Sequence, residues 1–269
     1  MKNKEKAVIY SQEKIAEGVY SLWIKTSLAK EAKSGQFIGV YLNNPAKLLA
    51  RPISICDVKP EEELLRMVYR TVGEGTKELA SYEAGTEIKV IGVLGNGYKE
   101  AMSAHLEKEG DLNSLIADKK VIVIGGGIGI PPMLLTAKNI ASDVEIVLGY
   151  SNGDLFLEDE FEDVGNLHIA TVDGSVGTKG TVIDAIKEDD VKGDIIFACG
   201  PMPMLKALKE YAKENNMEAY ISLEERMACG VGACLGCVCK TVKKDHHTNV
   251  NNTRICVEGP IFYADDVEI

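Results

Sequence analysis

Four cysteines near the C-terminus constrain the chain most. Cys229, Cys234 and Cys237 fall within nine residues, and Cys256 follows alone after a long polar stretch. This C-x4-C-x2-C…C spacing is typical of a plant-type [2Fe–2S] cluster, in which two irons need four thiolates around one compact group. The glycine and alanine residues between the first three cysteines leave space for a loop to wrap closely around it. The segment is therefore predicted to hold an iron–sulfur centre.

Other interpretations of the cysteine segment use different ligands. A structural zinc site takes paired C-x2–4-C units, whereas three of these cysteines cluster and the fourth stands alone. Cys239 alternates with Cys237 in an extended segment, so it is expected to point away and to be a packed thiol. His246 and His247 lie in the polar loop and are expected to be solvated, because four cysteines already supply the ligands.

The overall composition is that of a globular protein. The 269 residues, 45% hydrophobic and 26% charged, suit two ordinary domains with a small appendage. A net charge of −11 argues against a nucleic-acid partner, because phosphates would be repelled. No apolar run approaches the roughly 20 residues needed to cross a bilayer, and no secretory signal is expected. The clustered cysteines favour metal binding over disulfides and a reducing cytoplasm.

The first hundred residues are predicted to be rich in β structure. Short runs of branched and aromatic residues between turn-forming residues indicate strands over 8–10, 19–25, 37–42, 53–58, 65–72 and 87–93. Several short strands separated by turns favour a closed barrel or a sandwich. A short helix is expected over 76–82. We therefore expect an antiparallel β-barrel domain at residues 1–100.

From Val121 the pattern changes to strands that alternate with helices. Strands are predicted over 121–124, 144–148, 167–172, 195–198 and 219–223, with helices over 131–141, 182–187 and 202–215. Such alternation predicts βαβ units and a parallel sheet. An α/β domain is expected at residues 101–224, entered through a polar linker over 99–118, and the iron–sulfur segment follows at 225–269. The predicted fold is thus a multidomain α+β chain.

Two turns at the ends of predicted strands are candidate nucleotide sites. One contains Gly125, Gly126, Gly127 and Gly129 and opens a helix, where glycines let a phosphate approach backbone N–H groups. The other is Cys199-Gly200-Pro201, and ligands of open parallel sheets lie beyond the carboxyl ends of the strands. Glycine in such turns is common, and Cys199 could equally be a small buried cysteine.

Two arginines of the barrel region are candidates for binding a pyrophosphate. Arg51 and Arg70 lie in or beside predicted strands, where a charged side chain requires a partner. An anionic pyrophosphate would satisfy both through the bidentate guanidinium. Gly75 and Thr76 precede a short helix, whose N-terminus suits a phosphate. The alternative is that these are ordinary surface arginines.

Together these segments resemble the ferredoxin–NADP⁺ reductase superfamily over nearly the whole chain. Arg51-Pro-Ile-Ser54 resembles its flavin-binding motif, and the two glycine-containing turns resemble its nicotinamide-nucleotide motifs in the expected order. The cysteine segment is similar to that of the electron-transfer subunit of type B dihydroorotate dehydrogenase. Some related reductase subunits carry aspartate in place of the first cluster cysteine, so Cys229 favours the dihydroorotate version.

The resemblance implies three cofactors and the residues that contact them. FAD is expected to contact Arg51, Pro52, Ile53, Ser54, Val68, Tyr69, Arg70, Gly75 and Thr76. NAD is expected at Gly125, Gly126, Gly127, Gly129, Cys199, Gly200 and Pro201, with Cys199 in the wall of the nicotinamide pocket. The cluster ligands are expected to be Cys229, Cys234, Cys237 and Cys256. Many members have an aromatic residue where this chain has Ile53, and Tyr69 is expected to substitute for its ring stacking.

The resemblance also implies a partner and a reaction. The partner is an FMN-containing dihydroorotate dehydrogenase catalytic subunit, with two copies of each chain, and electrons from dihydroorotate reach NAD⁺ in pyrimidine biosynthesis. NAD is expected over NADP because residues 150–160 are acidic and lack an arginine or lysine for a 2′-phosphate. The alternatives are a subunit of an NADH-dependent ferredoxin or sulfide reductase complex, and a non-catalytic redox sensor.

Overall fold

The N-terminal part of the chain is a closed antiparallel barrel. The computed structural model describes residues 3–244 and 249–269, so the expectation for His246 and His247 lies outside the described part. The barrel strands are β1 (Asn3–Ala16), β2 (Val19–Lys25), β3 (Phe37–Tyr41), β4 (Arg51–Lys59), β5 (Leu64–Arg70) and β6 (Glu87–Leu94). They close in the order β1-β2-β5-β4-β3-β6, which confirms the predicted barrel.

Alternating apolar residues fill the barrel. Leu22 and Ile24 of β2 pack in one cluster with Met67 of β5 and with Ile88 and Val90 of β6. This spacing of two is what a strand with one buried face requires. Strand β1 is longer than predicted because charged residues occupy its exposed positions and hide its extent. The predicted short helix is α1 (Glu74–Leu79), which lies between β5 and β6.

The connection between the barrel and the second sheet is helical. Helices α2 (Tyr98–Leu106) and α3 (Leu112–Leu115) occupy much of the polar stretch that was predicted to link the two parts, and no helix was predicted there. Tyr98, Ala101 and Met102 are buried on one face of α2. Their spacing of three and four residues gives a short apolar stripe within an otherwise polar run. These few apolar residues are enough to stabilise α2, because they pack on a core formed by strands that are distant in the sequence.

The second part of the chain is an α/β sheet with helices between its strands. Its elements are β7 (Val121–Gly126), α4 (Ile130–Lys138), β8 (Val144–Tyr150), α5 (Glu158–Glu162), β9 (Asn166–Thr171), β10 (Thr178–Lys179), α6 (Val182–Glu188), β11 (Ile195–Cys199), α7 (Met202–Glu214) and β12 (Glu218–Ser222). The strands pair in parallel in the order β10-β9-β8-β7-β11-β12, which confirms the predicted α/β architecture. The central strands β7 and β11 are fully buried, as strands covered on both faces are.

The cysteine segment is built into this sheet. It contains β13 (Val238–Lys240), β14 (Asn252–Arg254) and β15 (Ile261–Tyr263). Strands β13 and β14 form an antiparallel pair, and β15 adds to β12 as an antiparallel edge strand of the larger sheet. The predicted βαβ pattern did not include this edge strand, which is only three residues long. None of the helices in the described part of the chain combines the length and apolarity needed to cross a membrane.

Candidate functional site

A cavity of about 330 Å³ opens where the barrel, the larger sheet and the cysteine segment meet, and we call it the flavin-type cavity. The turn after β7 contributes Ile128, strand β12 contributes Ser222, and the cysteine segment contributes Met227 and Pro260. Of the predicted FAD contacts, its lining contains Arg51, Pro52, Ile53, Ser54, Val68, Tyr69, Arg70 and Thr76. Residues from two neighbouring barrel strands and α1 therefore converge as the motif required.

The two cavity arginines carry charges that the described residues leave without an ionic partner. Neither Arg51 nor Arg70 forms an ion pair within the described part of the chain, although the protein is strongly acidic. Gly75 was also predicted to contact FAD, but it does not line the cavity. It lies against Arg51, because a Cβ on Gly75 would be 2.3 Å from the guanidinium Nε. An anionic pyrophosphate would neutralise both guanidiniums. The residues present thus fit FAD.

Tyr69 is held by barrel residues. Its ring stacks on Tyr20 with centroids 5.9 Å apart, and its hydroxyl donates to Gln12 Oε1 at 2.8 Å. Burial raises the pKa of Tyr69 well above its ordinary value, with Tyr20 adding to the shift. The side chain is therefore a fixed neutral wall of the cavity. Ile53, also buried, offers only an aliphatic surface beside it.

A second cavity of about 170 Å³ lies beyond the carboxyl end of β8. Arg70 and Gly127 line it together with Ala16, Glu17, Val19, Tyr150, Ser151, Asn152, Asp154 and Phe156. The Tyr150 hydroxyl donates to the Phe156 carbonyl at 2.9 Å, and the Glu17 amide donates to Asp154 at 2.8 Å. The loop after β8 is thus shaped internally and attached to the barrel. Arg70 lines both cavities, so the two are adjacent.

Most glycines of the turn between β7 and α4 are needed for close packing. A Cβ on Gly125 would lie 2.8 Å from the first Cα of α4, and one on Gly126 would lie 2.4 Å from a methionine sulfur of α7. A Cβ on Gly129 would lie 2.5 Å from the carbonyl group of Cys199. Gly127 differs, because its φ is +54° and no heavy atom lies within 4 Å of its Cβ position. Gly127 is therefore the turn residue that leaves space for a ligand in the second cavity.

Cys199 ends β11 and is almost fully buried. It contacts Ser222, which lines the flavin-type cavity. Burial, with a smaller effect of Glu224, raises the pKa of the Cys199 thiol to about 12, so it is neutral at physiological pH. Gly200 is half-buried against α7, and Pro201 is exposed at the start of that helix. The structure thus places Cys199 behind Ser222, so that Cys199 does not itself line the cavity.

The four predicted cluster cysteines stand as two pairs. Cys234 shifts the pKa of the Cys229 thiol and Cys237 shifts that of the Cys256 thiol, so the members of each pair lie close together. Within residues 3–244 and 249–269, no group of three or more His, Cys, Asp or Glu side chains could hold one metal ion. Two pairs suit a cluster in which each iron takes two thiolates, whereas four ligands surround a single zinc ion. The arrangement fits a [2Fe–2S] cluster.

Backbone N–H groups point at the cysteine sulfurs. Ala233 N lies 3.2 Å and Val231 N 3.5 Å from Cys229 Sγ, and Cys256 N lies 3.4 Å from Cys237 Sγ. Desolvation alone would raise the pKa of Cys229, but hydrogen bonds from the Val231 and Ala233 amides, together with Cys234, lower it to about 6. The Cys229 environment therefore favours the thiolate that a metal requires.

The fifth cysteine of the segment lies in the short β13–β14 pair. Cys239 is half-buried and packs against an apolar cluster of the larger sheet. Burial raises the pKa of Cys239 to about 11. A neutral thiol in an apolar environment agrees with the expectation that it is a packed side chain.

Asn96 joins the barrel to the cysteine segment, and the sequence patterns did not identify it. Its side chain donates to the carbonyls of Glu258 and Ile261 at 3.0 and 2.9 Å and accepts from the Ile261 amide at 3.0 Å. Its own amide donates to the Gly259 carbonyl. An Asn-Gly pair is by itself only a turn signal. These partners are more than 160 residues away, so no local pattern could reveal them.

Comparison with known proteins assigns the family. A sequence profile described as the iron-sulfur cluster binding domain of dihydroorotate dehydrogenase B matches residues 224–268. The chain is similar to the dihydroorotate dehydrogenase B (NAD(+)) electron transfer subunit of Fusobacterium nucleatum, at 41% identity over 98% of both chains. The corresponding subunit of Shouchella clausii is 39% identical over 99% of this chain and 98% of its own.

Solved structures support the fold. A structure of the NADH-dependent reduced ferredoxin-NADP oxidoreductase superposes with a TM-score of 0.82 and 30% identity, covering 97% of this chain and 89% of that one. A ferredoxin reductase of carbazole 1,9a-dioxygenase shares the fold alone, with a TM-score of 0.64 and 16% identity over 80% of this chain and 67% of its own. The resemblance deduced from the motifs is confirmed: this chain belongs to the family of electron transfer subunits of NAD(+)-dependent dihydroorotate dehydrogenase B.

Proposed function

We propose that this chain carries electrons between an FMN-containing dihydroorotate dehydrogenase catalytic subunit and NAD⁺, as the oxidoreductase subunit that holds FAD and one [2Fe–2S] cluster. The observation that carries the proposal is the position of Met227. This residue lies two positions before the first cluster cysteine and lines the same cavity as the FAD motif. One wall is thus shared by the two cofactor sites, and short distances favour electron transfer.

The two cofactors supply complementary chemistry: a flavin exchanges both single electrons and a hydride, whereas an iron–sulfur centre exchanges single electrons. For FAD, Arg51 and Arg70 neutralise the pyrophosphate, with the N-terminus of α1 at Gly75 and Thr76 beside it. Ile53, Val68 and Tyr69 provide the ring cavity with buried walls that exclude water, and Ser54 adds a hydroxyl to the lining. Pro52 completes the lining.

For NAD, we propose the second cavity and the turn beside it. Gly127 admits the phosphates, while Gly125, Gly126, Gly129 and Gly200 bring the ends of β7 and β11 together. The loop that follows β8 borders the adenosine end, and Asp154 in its wall disfavours a 2′-phosphate. Cys199 and Pro201 support the nicotinamide end through Ser222 and the start of α7. The cluster ligands are Cys229, Cys234, Cys237 and Cys256.

We further propose an arrangement of domains and subunits. The chain divides at residues 1–100, 101–224 and 225–269, for FAD, NAD and the cluster. Two copies pair with two catalytic subunits in the cytoplasm. The apolar side chains of Val231, Leu235 and Val257 are 42%, 67% and 43% exposed around the cysteines, which supports a protein partner on this face. The free state of the cysteines in the described residues supports a reducing compartment.

The test is to purify the chain anaerobically with its catalytic subunit. We expect FAD, FMN, iron and acid-labile sulfide in the complex, and NADH formation at 340 nm when dihydroorotate and NAD⁺ are added. NADP⁺ should be a poor substitute. Colourless protein, or protein with zinc and no sulfide, would contradict the cofactor assignment, and equal rates with NADP⁺ and NAD⁺ would contradict the nucleotide assignment.

A second function is favoured by one observation, the 30% identity with the NADH-dependent reduced ferredoxin-NADP oxidoreductase over nearly the whole chain. If this chain served such a complex, NADH and reduced ferredoxin together would drive the reduction of NADP⁺, and dihydroorotate would not be a donor. The same purified complex answers both questions when dihydroorotate with NAD⁺, and NADH with reduced ferredoxin and NADP⁺, are supplied in separate assays. A redox sensor would bind NADH without bleaching the flavin absorbance.

A further inference from the structure

One arginine side chain connects the two stretches that carry the cluster cysteines. Arg254 lies at the end of β14, where it pairs with Val238 of β13, and the next residue donates its amide to the Cys237 carbonyl at 2.9 Å. Its Nη1 donates to the Gly232 carbonyl at 2.8 Å, 22 residues earlier in the chain. Gly232 lies between the first two cluster cysteines. The side chain thus joins the loop of Cys229 and Cys234 to the strand pair that Cys237 precedes and Cys256 follows.

Glu258 fixes the orientation of this guanidinium. Its Oε2 accepts from Arg254 Nε at 3.1 Å and from the Arg254 amide at 2.9 Å, and its Oε1 accepts from Nη2. The planar guanidinium is therefore held by a fork on one edge while Nη1 points at Gly232. Glu258 neutralises the positive charge of Arg254. The guanidinium therefore acts on the neighbouring backbone mainly through its hydrogen bonds, and less through its charge.

The hydrogen bond to the Gly232 carbonyl also affects the next backbone N–H group, that of Ala233. The Gly232 carbonyl and the Ala233 N–H belong to one trans peptide unit, in which the two groups point in opposite directions. Fixing the carbonyl on Arg254 therefore directs the Ala233 N–H toward Cys229 Sγ, which lies 3.2 Å away. A charged donor on the carbonyl also polarises the peptide and strengthens its N–H as a donor.

We propose that Arg254 is a positioning residue that sets the reduction potential of the iron–sulfur centre through the Gly232–Ala233 peptide. This inference rests on the proposed cluster site. Hydrogen bonds to cysteine sulfurs are one of the factors that tune the potential of such centres. An N–H···S bond favours the more negative, reduced state, so its loss lowers the potential.

The test compares Arg254→Gln with Arg226→Gln in the purified complex. Arg226 is an exposed arginine three residues before Cys229, so its variant removes the same charge from the same segment without touching Gly232. The midpoint potential is measured by redox titration with electron paramagnetic resonance of the reduced centre. We expect a downward shift for Arg254→Gln and the wild-type value for Arg226→Gln. Arg254→Lys, which can still reach one carbonyl, should lie nearer the wild type.

The outcomes separate this inference from the proposed function. Wild-type protein without iron and sulfide would overturn the cluster assignment itself. Loaded wild-type protein together with an unchanged potential in Arg254→Gln would overturn only the role of Arg254. Equal shifts in both glutamine variants would also overturn it, since the effect would then be one of charge alone. The reduction potential is measured only on the clusters that are present. A variant in which some molecules lack the cluster can therefore still be compared with the wild type.

Discussion

Arg66 and Glu160 form an ion pair between the barrel and the larger sheet, in which one guanidinium nitrogen contacts both carboxylate oxygens. Arg66 Nη1 lies 2.7 and 2.8 Å from the two Glu160 carboxylate oxygens, and Arg66 Nε donates to Ser21 Oγ at 2.9 Å. The arginine is on β5 and the glutamate is on α5, which follows the loop of the second cavity. The Arg66 side chain is 8% exposed, so the pair closes the interface between the two parts.

Replacing Glu160 with glutamine should destabilise the fold, because it leaves the buried Arg66 guanidinium without its counter-charge. Loss of one partner of a fully buried pair costs 3–5 kcal/mol, and we expect about 1–3 kcal/mol here because Glu160 is 37% exposed. Urea unfolding measures the change. Glu162→Gln, at an exposed position of the same helix, is the matched control and should change little. Equal stability of both variants would show that the pair does not hold the interface.

Adding a methyl group at Gly75 should weaken FAD binding. The new Cβ would lie 2.3 Å from Arg51 Nε, which is too close for two non-bonded atoms. The guanidinium would therefore have to move. Loss of a hydrogen bond to a charged group costs about 1.5–3 kcal/mol, or roughly 10- to 100-fold in affinity. Gly73→Ala is the control, since no heavy atom lies within 4 Å of its Cβ position. Affinity is measured by titrating FAD into flavin-free protein, and equal affinities in the two variants would contradict the role of Arg51.

Serine in place of Cys256 should reduce iron and sulfide content strongly, whereas serine in place of Cys239 should leave it near the wild-type level. Cys256 pairs with Cys237, but Cys239 packs against apolar side chains. Chemical analysis of iron and acid-labile sulfide measures the difference. Cys239→Ser is expected to cost some stability, because a hydroxyl replaces a buried thiol. A cluster lost in Cys239→Ser but retained in Cys256→Ser would reverse the ligand assignment.

The carboxylate of Glu78 should give a pH-dependent contribution to stability. Hydrogen bonds from Lys47 and then from Tyr82, both at 2.7 Å, lower the pKa of Glu78 from 4.5 to about 2. A carboxyl group whose folded pKa is depressed stabilises the protein above its unfolded pKa, and this contribution is lost as the pH falls toward the folded pKa. The stability difference between wild type and Glu78→Gln should therefore shrink between pH 4.5 and pH 2.

Urea unfolding at pH 6, 4 and 3 tests this dependence. Glu83→Gln, at an exposed position near α1, is the control and should show no such trend. A difference between wild type and Glu78→Gln that is the same at pH 6 and pH 3 would contradict the lowered pKa.

Local patterns were sufficient for the six barrel strands, for the five longer strands of the larger sheet and for the helices α1, α4, α6 and α7. Short runs of branched and aromatic residues between turn-forming residues predicted the barrel, and continuous apolar runs predicted β7 and β11. The patterns failed where an element takes its stability from distant contacts. Helix α2 buries only a narrow stripe, and β15 is three residues that need β12 as a template. In both segments the few apolar residues stand among polar ones, so the sequence pattern is too weak to predict a helix or a strand.

The candidate site divides in the same way. The spacing of the cysteines and the order of the motifs alone determined the family and the cofactor types, because metal ligands and phosphate-binding turns depend on residues near one another in the chain. Only the tertiary structure decided that Cys199 lies behind Ser222, that Arg70 borders both cavities, and that Asn96 and Arg254 hold the cysteine segment. Those contacts join separate turns and strands, and they form only when the packing of the whole chain brings the partners together.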